Sequence, residues 1–225
     1  MAKRLFDLIS AFTAIVMLTP IFGIAFVGIR LSSPGPAIYR ARRVGRGGGM
    51  FVMYKFRTMH VGSAAGGAIT GSKDSRVFSL GRILRTLKID ELPQLFNVLA
   101  GDMSIVGPRP EDPEIVEKYY GTIGQETLTV LPGLASPGSI YNYTHGHLFL
   151  DDAMPEESYV LRLLPMKLAL EAVYVRHQSF VRDLNIIGRT MAAIVWIAAG
   201  RTSFSDPPEM LEAQVILEAT PVEAG

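Results

Sequence analysis

The sequence predicts an α+β fold, mostly helical, attached to a membrane through its N-terminus. Three observations carry this. Leu8 to Ile29 is an uncharged, largely apolar run of 22 residues, long enough for a transmembrane helix at about 1.5 Å per residue. Two strand-like segments, Ala37 to Val44 and Met50 to Phe56, flank the turn Gly45-Arg46-Gly47-Gly48-Gly49. Beyond them, apolar residues return at helical spacing in several stretches. The expected architecture is an N-terminal re-entrant membrane helix hairpin broken at Thr19-Pro20, a short β-hairpin, and amphipathic interfacial helices around a small cytoplasmic globular domain. The expected boundaries are an anchor over 1–31, a main domain over 32–200 and a loose tail over 201–225.

The anchor is argued from charge. Lys3 and Arg4 precede the apolar run, and Arg30, Arg40, Arg42, Arg43 and Arg46 follow it. Asp7 is the only acid among the first fifty residues. The positive-inside rule asks both flanks to stay cytoplasmic, which one straight crossing cannot satisfy. Pro20 removes a backbone donor and crowds the preceding turn, so the helix bends there. The Thr19 hydroxyl can repair part of the lost bonding. Two half-helices meeting at Pro20 would enter one leaflet and return. The alternatives are a kinked single span and a cleaved signal peptide, the latter poorly matched by so long an apolar run.

Ser32-Ser33-Pro34-Gly35-Pro36 stops the first helix. The glycine-rich turn after Val44 lacks the Lys-Ser/Thr of a phosphate loop and reads as a flexible hairpin. Lys55 and Arg57, two residues apart on a strand, share one face. Residues 61–72 are Gly-, Ala- and Ser-rich and read as a mobile loop. Val77, Leu80, Ile83, Leu84 and Leu87 form an apolar stripe interleaved with Arg76, Arg82, Arg85 and Lys88. Such a basic amphipathic helix fits a lipid interface or a protein core equally well. Helices are also expected over Glu114–Tyr120, Met166–Arg176 and Phe180–Ala199.

Composition narrows the chemistry. A formal net charge of +1 argues against a nucleic-acid partner bound by bulk charge. A mean hydropathy of +0.26 is high for a soluble domain. With no Cys, neither disulfides nor thiolate metal sites are available. Among the four His, only His145-Gly-His147 is a close pair, and a loop pair is more often structural than ligating. Nothing in the sequence requires a second copy, and a homodimer is compatible with it.

The chemistry concentrates between Arg85 and Pro110. Asp90 and Glu91 stand at the start of a short helix, with Asp90 as its expected N-cap. Pro93 then falls in the first turn, where a missing N–H costs nothing. Leu92, Leu95, Phe96 and Leu99 give an apolar face. Adjacent acids alone are usually solvated surface, as at Glu156-Glu157. Here Arg85 and Lys88 lie before the pair and Arg109 after it, held between Pro108 and Pro110. Cations keep a carboxylate ionised and neutralise phosphate oxygens. An ionised Asp is a competent nucleophile towards phosphorus.

Asp90-Glu-Leu-Pro-Gln-Leu-Phe-Asn-Val-Leu99 and Gly101-Asp-Met-Ser-Ile-Val-Gly-Pro-Arg-Pro110 resemble the signature of the bacterial sugar transferases, the small monotopic phosphoglycosyl transferases. Arg43, Gly45 and Tyr54-Lys-Phe-Arg-Thr-Met59 are similar to a second family motif. The resemblance runs from about Lys3 to Gly133, then in patches to Thr190. Ala41 stands where Gln is usual, Glu171 where Asp is common, and Thr19 where Ser precedes the proline. Residues 135–143 depart from the usual pattern, and an expected Arg after them is missing.

The resemblance implies transfer of a phosphosugar from a UDP-sugar to a polyprenyl (undecaprenyl) phosphate. The products would be polyprenyl-diphosphate sugar and UMP. This is the first membrane step of exopolysaccharide or glycoconjugate assembly, on the cytoplasmic face of the bacterial inner membrane. It implies Asp90 as covalent nucleophile and Mg²⁺ held with help from Asp90 and Glu91. Lys55, Arg57, Arg85 and Arg109 are the implied phosphate ligands. Two rival readings remain: a membrane-anchored metal-dependent glycosyltransferase acting by direct displacement, and a non-catalytic membrane scaffold.

Overall fold

The computed structural model describes residues 2–62, 74–151 and 153–219. Helix α1 spans Ala2–Ser32 with Pro20 inside it. The expected break at Thr19-Pro20 is not a non-helical segment. The Thr19 hydroxyl donates to the Ile15 carbonyl at 2.8 Å, one residue before the carbonyl that Pro20 cannot serve. Most of α1 is exposed and apolar, including Leu5, Phe12, Met17, Ile24 and Leu31.

The charged N-terminus of α1 is tied to the globular body. Lys3 Nζ pairs with Asp183 at 2.6 Å, and Arg4 donates to the Val98 and Leu99 carbonyls. Asp7 is buried and accepts from the Ser104 hydroxyl and the Ile105 amide. Near the other end, Ala25 and Ile29 pack with Ala37, Phe56 and Leu84.

Strands β1 (Ile38–Val44) and β2 (Met50–Phe56) form an antiparallel hairpin, paired from Ile38 opposite Phe56 to Val44 opposite Met50. Its turn is pinned: the Gly47 amide donates to the Leu128 carbonyl at 2.7 Å. Gly47 and Gly48 both take positive φ, which glycine adopts without strain. The expected loop over 61–72 lies, from 63 onward, outside the described residues.

Helix α2 (Ser79–Thr86) buries Leu84 and leaves Ile83 exposed, so the predicted stripe divides between core and surface. Helix α3 (Gln94–Ala100) follows and packs Leu95 and Val98 against α1 and the hairpin. Strands β3 (Ser104–Val106) and β4 (Gly133–Ala135) pair in parallel. They approach so closely that a Cβ on Gly133 would lie 2.0 Å from the Gly107 amide nitrogen. Between them run α4 (Pro113–Tyr119) and α5 (Thr122–Thr127).

Helix α6 (Pro137–His145) is capped by Ser136, whose hydroxyl accepts from the Ser139 amide. After the short α7 (Pro155–Ser158) and a π-helical turn comes α8 (Leu164–Arg176), a largely buried helix that includes Leu170 and Val173. Helix α9 (Phe180–Ala198) buries Asp183, Ile186 and Ala193 and exposes Val181, Met191 and Trp196. The tail expected to be loose contains α10 (Met210–Ala219), which seats Met210, Ala213 and Ile216 in the cluster around α8. Glu209 receives both arms of Arg189 just before it.

Candidate active site

Helix α2 ends at Thr86, and Lys88 takes the left-handed conformation with φ of 56°. The chain then makes one tight 3₁₀ turn, Ile89–Glu91, before α3 begins. Asp90 is therefore not an N-cap: Pro93 occupies that position, with no side-chain cap bond. The turn is held by the Glu91 and Leu92 amides, which donate back to the Lys88 and Ile89 carbonyls. Both carboxylates are buried, Asp90 at 8% exposure and Glu91 at 6%.

Glu91 is fully engaged. Arg109 grips it with two arms, Nη2 to Oε1 at 2.6 Å and Nη1 to Oε2 at 3.0 Å, the planar fork geometry in which such pairs are strongest. The Tyr143 hydroxyl donates to Oε2 at 3.3 Å, and Lys55 Nζ lies 3.7 Å from Oε1. Burial alone would raise the Glu91 carboxyl. Arg109, then Lys55 and Lys88, overcome it and hold Glu91 well below the usual carboxylate range.

Asp90 differs in kind. Its Oδ1 is buried and has no hydrogen-bond partner. Burial, and then the charge on Glu91, push its pKa up against Lys55, Lys88 and Arg85. A buried carboxylate oxygen without a partner is costly and is free to meet a ligand or electrophile. Burial also lowers the Lys55 ammonium to about 8, with Glu91 opposing.

The structure thus brings together Asp90, Glu91, Lys55 and Arg109. Arg85 stands at the edge, its Nε donating to the Thr58 hydroxyl at 2.8 Å. Arg57 is not brought to the cluster. Its guanidinium is committed to the Pro36, Ser33 and Met59 carbonyls and the Ser33 hydroxyl. The reason is local: Lys55 and Arg57 share a face only while the strand continues, and β2 ends at Phe56. Arg57 instead ties the end of α1 to the hairpin.

Tyr143, Lys88, Gln94 and Glu171 join the neighbourhood without having been assigned from the sequence. Lys88 Nζ lies 3.6 Å from the Tyr143 ring centroid. Gln94 is wholly buried, with neither amide atom hydrogen-bonded. Glu171 Oε1 accepts from the Ser136 hydroxyl at 2.6 Å and the Arg109 amide at 3.2 Å. Burial raises its carboxyl to about 7. Lys88 had a local signal as one of the cations flanking the acid pair, and Gln94 lies one helical turn after Asp90; Tyr143 had none. Among the described residues, no group of three His, Cys, Asp or Glu gathers for a metal.

This arrangement sets a buried carboxylate with one unpartnered oxygen beside a braced ion pair. The chain belongs to the bacterial sugar transferase family, whose pattern matches residues 1–197. It is 34% identical over 196 residues to UDP-glucose:undecaprenyl-phosphate glucose-1-phosphate transferase of Caulobacter vibrioides, covering 86% of this chain and 69% of that one. It is 45% identical over 197 residues to UDP-N-acetylgalactosamine-undecaprenyl-phosphate N-acetylgalactosaminephosphotransferase of Aeromonas hydrophila, covering 86% of this chain and 43% of that longer one. A third relative, exopolysaccharide production protein ExoY of Rhizobium meliloti, is 31% identical over 210 residues, covering 86% of this chain and 85% of its own. The first two relatives are, by name, transferases of phosphosugar groups.

Proposed function

We propose that this protein transfers a phosphosugar from a UDP-sugar to polyprenyl phosphate through a covalent intermediate on Asp90. The observation that carries the reading is the buried, unpartnered Asp90 Oδ1 beside the Glu91–Arg109 pair. An Asp90 oxygen attacks the sugar-linked phosphorus, and an Asp90–O–P bond forms. The P–O bond to the uridine-linked phosphate breaks, and UMP leaves with the electron pair. A polyprenyl phosphate oxygen then attacks the same phosphorus, and the Asp90 carboxylate is released. The products are UMP and polyprenyl-diphosphate sugar.

The chain's own residues prepare this step. Arg109 keeps Glu91 ionised and fixed, so that Glu91 cannot take a proton from solvent at neutral pH. Lys55 and Arg85 supply positive charge beside Asp90 and meet phosphate oxygens, whose charge rises in the transition state. The site residues fit Mg²⁺: the donors are hard carboxylate oxygens, one of them free, and this ion is commonly held by one or two carboxylates plus substrate phosphates. Asp90 would hold it through that free oxygen, and Glu91, whose two oxygens are taken by Arg109, would help only by yielding one of them. Bound there, Mg²⁺ neutralises diphosphate charge.

Attachment follows the same logic. A straight helix of 31 residues would measure about 46 Å and carry Lys3 away from Arg30. Yet Lys3, Arg4 and Asp7 at one end, and Ala25 and Ile29 near the other, all contact the same globular body. This supports a re-entrant anchor that enters and leaves one leaflet, with the site at the cytoplasmic face where an aqueous donor meets a lipid acceptor. The named relatives use glucose in one case and N-acetylgalactosamine in another, so the donor is proposed as a UDP-sugar.

The full-length enzyme in detergent, given polyprenyl phosphate, Mg²⁺ and a panel of UDP-sugars, tests this by its nucleotide product. UMP is expected, and none from Asp90→Asn. Release of UDP would overturn the reading in favour of direct displacement.

A further inference from the structure

The cations of the site are not used alike. Arg109 is locked onto Glu91 in two-armed geometry. Lys55 approaches the same carboxylate at 3.7 Å. Arg85 donates to Thr58. Lys88, two residues before Asp90, makes no ion pair among the described residues. Its ammonium lies over the face of Tyr143, 3.6 Å from the ring centroid. A cation at that distance is held by the ring quadrupole without being neutralised.

Two further observations bear on this placement. Lys88 alone among the described non-glycine residues has positive φ. Backbone strain of this kind persists where surrounding structure enforces it and clusters at functional sites. Tyr143 is itself fixed at both ends. Its hydroxyl donates to Glu91 Oε2 and accepts from Arg109 Nη1, each at 3.3 Å. Its backbone belongs to α6, whose cap Ser136 is bonded to buried Glu171. The ring therefore cannot follow the ammonium if the ammonium moves.

We propose that Lys88 is a phosphate-binding residue for the donor diphosphate, and that Tyr143 is a positioning residue that keeps its ammonium off Asp90 and Glu91 until the donor arrives. The inference rests on the donor assigned above. Paired with Asp90, Lys88 would occupy the attacking oxygen and have little charge left for a phosphate. Held on an aromatic face, it stays clear of both carboxylates, and an incoming diphosphate outcompetes the ring for it.

The test is equilibrium binding of UDP, a probe with the donor's diphosphate, to the detergent-solubilised full-length protein by calorimetry. Lys88→Met and Tyr143→Leu are each expected to weaken Kd about tenfold, and the double variant no more than Lys88→Met alone, because coupled residues are not additive. Tyr143→Phe keeps the ring and loses the hydroxyl, and is expected to weaken Kd by no more than about threefold. Additive losses in the double variant, or Tyr143→Phe as damaging as Tyr143→Leu, would overturn the inference. So would Lys88→Met binding UDP as the wild type does. A wild type that fails to bind UDP at all would instead overturn the proposed function, and this inference with it.

Discussion

Asp90 sits in surroundings that resist its charge. Burial and the neighbouring Glu91 raise its pKa above the unfolded value. Its contribution to stability is therefore complete only below the ordinary Asp range, and is lost as pH rises through the raised value. Above the ordinary Asp range, holding this carboxyl buried beside Glu91 costs stability. Asp90→Asn is expected to abolish UMP release while stabilising the fold, by an amount on the order of 1 kcal/mol. Thermal melting beside the activity assay checks both, and a destabilised, partly active variant would contradict the assignment. Lys55 sets the alkaline side. Its ammonium, lowered to about 8 by burial, is lost above that pH, and kcat/KM should fall with it. Lys55→Arg should remove that decline, because a guanidinium keeps its proton; an unchanged alkaline limb would show that Lys55 does not govern it. Asp90, Glu91 and Arg109 were legible in the sequence because they lie in one short contiguous motif. Tyr143 was not, since it is 52 residues from Glu91 and nothing local marks it. Arg57 was misplaced because the sequence does not announce where a strand stops.

At the scale of elements, helices and hairpin followed from periodicity wherever one face is apolar throughout. The β-hairpin matches its expected limits to within one residue, and α8 and α9 lie where the spacing put them. The departures have local causes. Pro93 and the 3₁₀ turn push the start of α3 past Asp90, so the carboxylates stand on a tight turn rather than capping a helix. Helix α10 was hidden by the proline- and acid-rich approach to it, although Met210, Ala213 and Ile216 recur at a spacing of three. Helix α1 carries the prediction that belongs here. The chain has no Cys, so Ala2→Cys and Arg40→Cys report cleanly on topology. In oriented membrane vesicles, both are expected to react with an impermeant maleimide from the cytoplasmic side only. Labelling from opposite sides would establish a single crossing and remove the re-entrant anchor.

The whole molecule places a small, well-packed body against an apolar helix that has few packing partners of its own. The core around α8 needs α10 to close it. Ending the chain after Glu209 would uncover the surfaces that bury Met210 and Ile216, a loss of about 3–6 kcal/mol at roughly 1.5–3 kcal/mol per large apolar side chain. A lowered melting temperature, with UMP release per folded molecule retained, is expected; loss of activity at unchanged stability would give α10 a direct role instead. The parallel pair β3–β4 joins the Arg109 segment to the start of α6, so that one scaffold sets Arg109 and Tyr143 around Glu91. The account's central claim is that Asp90 itself carries the phosphosugar. Intact-mass spectrometry of the purified full-length protein, mixed with each UDP-sugar and Mg²⁺ without polyprenyl phosphate, tests it most directly. A mass increase of one phosphosugar for the matching donor, mapped to Asp90 and removed by adding polyprenyl phosphate, is the predicted result. UDP-sugar turnover with no adduct on the protein, or an adduct on another residue, would contradict it.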